Sequence, residues 1–91
     1  MHARVITFPG NHVKEVVEFL NNIDEKGFEE VKGSYFLADP NNEKTMTVTL
    51  WETQEALEAS MPAAEKVAHQ IAKDITGMPP KIEVYEVAHQ S

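Results

Sequence analysis

Cysteine is absent from this 91-residue chain. That excludes a disulfide framework, a thiolate metal site, an iron–sulfur cluster and a cysteine nucleophile. Long apolar runs are absent too, and nothing approaches the ~20 residues that span a bilayer. The start, Met1-His-Ala-Arg-Val5, carries no apolar stretch of the signal-peptide kind. A cytoplasmic protein that inserts in no membrane is the expectation. Basic residues are few: eight against fifteen acidic ones, for a net charge of −7. Such a surface repels phosphate backbones and anionic lipid, so no nucleic-acid partner is expected. The acidic residues are spread along the chain, as a solvated surface requires. Arginine and tryptophan occur once each, as Arg4 and Trp51. No phosphate-binding loop, dinucleotide fingerprint, HExxH or GxSxG motif is present.

Apolar residues make up 42% of the sequence, enough for a core in one domain spanning residues 1–91. Residues 2–8 read as a strand, and Pro9-Gly10 as a turn. Asn11 is a suitable N-cap for a helix carrying Val13, Val16, Val17, Leu20 and Ile23. Gly27 fits the left-handed position after that helix, with Phe28 folding back on Ile23. Residues 31–39 and 45–52 read as two strands joined by a hairpin loop over 40–44. Thr53 caps a short helix with Ala56 and Leu57, and Pro62 restarts it. Ala64, Val67, Ala68, Ile71, Ala72 and Ile75 form one apolar stripe. Gly77 ends that helix, Pro79-Pro80 block its continuation, and residues 81–88 form the last strand.

The order βαββαβ predicts an α+β, ferredoxin-like domain: a four-stranded antiparallel sheet, order 4-1-3-2, with both helices on one face. First and last strands are then neighbours, which brings Arg4 near Glu86 as a cross-strand ion pair. Pairing across a five-residue hairpin loop groups Val31, Gly33, Tyr35 and Leu37 with Thr47, Thr49 and Trp51. Ser34, Phe36 and Ala38 then fall with Met46, Val48 and Leu50. A one-residue slip exchanges these groupings. In either register both faces carry large apolar side chains, and two helices cover only one. The uncovered face predicts a homodimer packed sheet to sheet.

Leu50-Trp51-Glu52 followed by Thr53-x-Glu55-Ala56-Leu57 resembles the dimeric α/β-barrel superfamily, and within it the antibiotic-biosynthesis-monooxygenase-like group. Ala3-Arg4-Val5-x-x-Phe8 with its Gly10 turn, and the closing Val84-Tyr85-Glu86-Val87, are similar as well. The resemblance covers nearly the whole chain. It implies ferredoxin-like protomers whose sheets share a barrel, and a pocket between sheet and helices. Some members oxidise phenols with molecular oxygen without metal or flavin; others degrade haem; many have no assigned activity.

On this resemblance Trp51 and Tyr35 are candidates for the wall and phenol of a pocket for a flat aromatic ligand, with Thr47 and Thr49 as small donors beside them. The alternative is that both aromatics fill the dimer core. No cofactor is expected, because an ionised phenol held in an apolar pocket can itself reduce oxygen. The phenol oxidisers surround their substrate with Asn, Trp, Tyr and Arg; here threonines replace the Asn and Arg4 is the sole arginine. His69 stands on the last helix, where haem degraders carry their iron ligand. Ala3 stands where those enzymes have Asn, and at ~100° per residue His69 turns roughly 130° from the apolar stripe, toward solvent. A non-catalytic dimeric binding or stress-associated domain is the competing reading.

Overall fold

The computed structural model describes residues 1–23 and 26–90. Strand β1 (His2–Pro9) leads to helix α1 (Val13–Asn21), then to the hairpin β2 (Val31–Asp39) and β3 (Lys44–Trp51). Helix α2 (Gln54–Ile71) and β4 (Lys81–Glu86) complete the chain. The strands form one antiparallel sheet in the order β2-β3-β1-β4, the ferredoxin-like arrangement expected of βαββαβ. No helix among the described residues is long and apolar enough to cross a membrane.

The helices cover one face. Ile6 and Phe8 of β1 meet Val16 of α1 and Ala64, Ala68 and Ile71 of α2 in a buried cluster. Phe19, Leu20, Phe28, Phe36, Val67, Ile75 and Ile82 pack around it. The stripe expected on α2 is the one that is buried. Small Ala64 and Ala68 let that helix sit close to the sheet. On α1 the stripe is displaced: Val16 is buried, whereas Val13 and Val17 stay exposed and Phe19 packs inward instead.

The local signals fare differently. Thr53 caps α2 as expected, its hydroxyl accepting the Ala56 N–H at 3.0 Å. Thr53→Ala is expected to cost about 1 kcal/mol, read as a lower urea midpoint at unchanged slope. Asn11 does not cap α1; His12 holds that position, without a side-chain cap bond. Pro62 does not restart a helix but lies inside a continuous α2. Its ring removes one backbone bond, and the buried Leu57, Ser60 and Ala64 around it keep both flanking turns on the sheet. Past Ile71 the helix continues as a π-helical turn over Ala72–Thr76, and Gly77 ends that run, left-handed at φ 70°, with its N–H on the Ala72 carbonyl at 2.7 Å. Gly27 is left-handed at φ 96°, yet α1 stops at Asn21, so this glycine serves the loop and not the helix end. The helix ending expected between Ile23 and Phe28 includes residues 24 and 25, outside the described residues.

The hairpin decides which side chains share a face. Lys44 belongs to β3 and pairs with Asp39, so the loop has four residues, 40–43, and not five. Glu43 closes it in the left-handed region at φ 51°. One residue fewer inverts the grouping. Tyr35 pairs with Val48 and Leu37 with Met46 on the uncovered face; Ser34 pairs with Thr49 and Phe36 with Thr47 on the helix face. An irregularity between Val31 and Gly33 returns Val31 to the helix side, opposite Trp51. The uncovered face therefore carries Ala3, Val5, Met46, Val48, Leu50, Tyr35, Leu37 and Tyr85. Tyr35, Leu37 and Tyr85 are exposed, and Tyr35 is 57% accessible.

Candidate functional site

Alternation along β1 directs Arg4, Ile6 and Phe8 to the same face, under the helices. On β3 the partners of these residues are Thr49, Thr47 and Thr45. Threonine is short, so the middle of the sheet is shallow where the flanking strands and helices carry large side chains. A cavity of about 410 Å³ opens over this depression. Its walls are mainly apolar: Ile6, Phe8, Leu20, Phe28, Phe36 and Ile71 among others. Polar groups come from the sheet, as Ser34, Thr47, Thr49 and Arg4, and from the loop before β2, as Glu29. The Glu29 carboxylate accepts the Gly27 N–H at 3.0 Å to each oxygen.

Arg4 is 1% exposed and has no carboxylate partner among the described residues. The expected pair with Glu86 does not form. Register places Arg4 opposite Val84 and sets Glu86 beside His2, on the exposed edge strand. All the hydrogen bonds of Arg4 run through Nη1 into α2. They reach Ser60 Oγ at 2.6 Å, the Leu57 carbonyl at 3.5 Å and Met61 Sδ at 3.4 Å. Ser60 in turn donates to the Leu57 carbonyl at 2.6 Å. The guanidinium lies over Trp51, with Cζ 5.1 Å from the ring centroid, a cation–π contact. Nε is buried without a partner among the described residues. Burial lowers the pKa of Arg4; an arginine nevertheless remains charged at neutral pH.

The four residues read from the sequence as a site divide. Thr47 and Thr49 line the cavity. Tyr35 borders it through its place on β2 between Ser34 and Phe36, but its register partner is Val48 on the uncovered face. Trp51 is 1% exposed and is not among the lining residues. It lies behind Arg4, its indole N–H donating to Thr49 Oγ1 at 3.0 Å. Trp51 thus fills the protomer core and holds the polar wall from behind. His69 is exposed and lines a separate surface hollow with Lys73, Met78 and Pro80. Among the described residues no group of three or more His, Asp or Glu is arranged to hold a metal ion. Arg4 as a cavity residue and Ser60 beneath it escaped the sequence reading. The signal was the spacing of Arg4, Ile6 and Phe8, an arginine in phase with two core residues.

No protein-family model matches the chain, and no curated protein matches it either. Solved structures do. A monooxygenase of Streptomyces coelicolor, ActVA-Orf6, in complex with nanaomycin D, superposes with a TM-score of 0.77 at 16% identity, over 99% of this chain and 89% of that one. A candidate antibiotic biosynthesis monooxygenase of Deinococcus radiodurans gives 0.72 at 13% identity, over 100% and 96%. The chain has the fold of the monooxygenase-like group. A mutant of MhuD, with two manganese protoporphyrin IX molecules per active site, shares this fold at a TM-score of 0.66 and 17% identity, over 100% and 98%. At these identities the likeness is one of fold, and several chemistries share it.

Proposed function

We propose that this protein is a small-molecule-binding homodimer whose cavity between sheet and helices takes a phenolic or quinone-like compound, and that it acts on it as a cofactor-independent oxygenase. The cavity carries this reading: a space of about 410 Å³ with mainly apolar walls from both sheet and helices and a few polar groups set among them by the sheet. That volume lies within the range of ~300–1,000 Å³ usual for ligand sites. Support also comes from the fold shared with the Streptomyces protein, which holds nanaomycin D. In the proposed reaction the phenol gives its hydroxyl proton to solvent, the ring carbon of the resulting anion bonds to molecular oxygen, and the peroxide so formed takes up a proton. Loss of water from the hydroperoxide leaves the quinone. The chain would contribute an apolar enclosure, hydroxyls of Thr47 and Thr49 that orient the ligand, and a positive group near its oxygen.

A second reading is a non-catalytic binding domain. It is favoured by the make-up of the polar wall, where hydroxyls and a guanidinium leave Glu29 as the only carboxylate, and no histidine, among the described lining residues. A haem site would need an iron ligand there as well, and His69 stands outside the cavity.

Calorimetric titration with 1-naphthol and 1,4-naphthoquinone tests the cavity. Saturable binding at one site per protomer is the expected result, and no heat with either probe would remove the reading. An oxygen electrode with a naphthohydroquinone then separates the two functions. Consumption above the protein-free rate supports the oxygenase, while binding without consumption leaves the binder.

A further inference from the structure

We infer that Arg4 is an oxyanion site, and that the cavity's natural ligand carries a carboxylate or phenolate on an apolar body and binds with that group against the guanidinium. The inference rests on the cavity being a ligand site, as proposed above. The observation behind it is a buried cation on a chain of net charge −7 to which no described carboxylate has been brought.

Burying a charge is costly unless it is paired and hydrogen-bonded, and most buried arginines meet a carboxylate. Arg4 meets a hydroxyl, a carbonyl, a thioether sulfur and an indole ring. These contacts partly replace solvation but supply no negative charge. They are also one-sided. Nη1, the nitrogen on the Cδ side of the group, is committed to α2, whereas the opposite edge is formed by Nε and Nη2. That edge is the fork that receives a carboxylate through two parallel N–H···O bonds, and its Nε is the one buried polar side-chain atom without a partner among the described residues.

The surroundings fix the guanidinium. Trp51 lies against one face, Thr49 holds the indole, and Ser60 holds Nη1 at 2.6 Å. Little side-chain entropy remains to be lost when an anion docks, which favours binding. The rest of the lining then selects the ligand's body. Ile6, Phe8, Phe36 and Ile71 offer apolar surface, so inorganic anions gain nothing there. Among the described residues Glu29 is the one acidic group on the lining, and its carboxylate is engaged by the Gly27 amide on an exposed loop.

Paired probes of one shape test this on the intact protein. 2-Naphthoate is expected to bind about tenfold or more tightly than the neutral 2-naphthamide, as a charge-assisted hydrogen bond requires. Arg4→Met, which keeps an unbranched apolar stem and removes the charged guanidinium, is expected to abolish that difference; circular dichroism checks its fold. Should Arg4→Met not fold, the wild-type ratio alone decides. 4-Nitrophenol separates the two sources of the oxyanion. A yellow colour at a pH where the free probe is colourless shows capture as phenolate, and naphthoate selectivity without colour confines the site to carboxylates. Equal affinity for naphthoate and naphthamide, without colour from nitrophenol, overturns the inference while leaving the cavity reading intact. Failure of every probe to bind, neutral or charged, overturns both.

Discussion

Val48→Glu is expected to turn a dimer of about twice 10.2 kDa into a monomer of 10.2 kDa in sedimentation equilibrium at micromolar concentration. Val48 sits at the centre of the uncovered face, between Tyr35 on β2 and Val5 on β1. In a free protomer a glutamate there would point to water and leave the helix-side core untouched. In a two-fold interface it enters twice, because the same patch serves both partners. Each buried, unpaired carboxylate costs on the order of 3 kcal/mol, about a hundredfold in dissociation constant. The far-UV dichroism of the variant should match the wild type. Glu58→Lys, on the exposed side of α2, should leave the mass unchanged. A wild-type protein that sediments at 10.2 kDa would end the case for the dimer, and the sheet's apolar face would then need another cover.

The fold was legible because its signals are redundant. Each strand is bounded by turn residues, the α2 stripe repeats at helical spacing over three turns, and the βαββαβ order admits few topologies. The excess of apolar β-surface was legible for the same reason, since it persists in either hairpin register. The composition of each face was not. It depends on whether Lys44 lies in the loop or on the strand, and a single residue reverses the outcome. That reversal set Thr47 and Thr49 with Phe36 and Ser34, and separated them from Tyr35.

Arg4 shows a second limit. Charge pairing in sequence is judged by proximity on neighbouring strands, which pointed to Glu86. The structure obeys the alternation instead, carrying Arg4 inward with Ile6 and Phe8 and leaving Glu86 on the edge. Its partner Ser60 comes from α2, 56 residues away, and no local pattern announces so distant a contact. Helix ends failed for a related reason. Thr53 caps where the chain direction suits it, while Asn11 lies one residue too early for a helix that begins at Val13.

Trp51→Ala is expected to lower stability by about 3–5 kcal/mol, the usual cost of deleting a buried aromatic side chain. A 91-residue domain has roughly 5–14 kcal/mol in total, so the variant should unfold at a much lower urea concentration, followed by circular dichroism because the only tryptophan is gone. Two further losses add to the cavity. Arg4 gives up its ring contact, and Thr49 gives up the indole donor. Trp51→Phe separates these terms. It keeps an aromatic ring under Arg4 and removes the hydrogen bond, so a cost of about 1–2 kcal/mol is expected. The same variant tests where the ring belongs. If Trp51 stacked on a ligand, changing the ring would alter naphthol affinity. Because Trp51 lies behind Arg4 and Thr49 and outside the cavity lining, naphthol affinity should stay within about twofold of the wild type, roughly 0.4 kcal/mol. A Trp51→Ala protein with a wild-type urea midpoint would show that the indole is not in the protomer core. The rigid backing that holds Arg4 in place would then be lost as well.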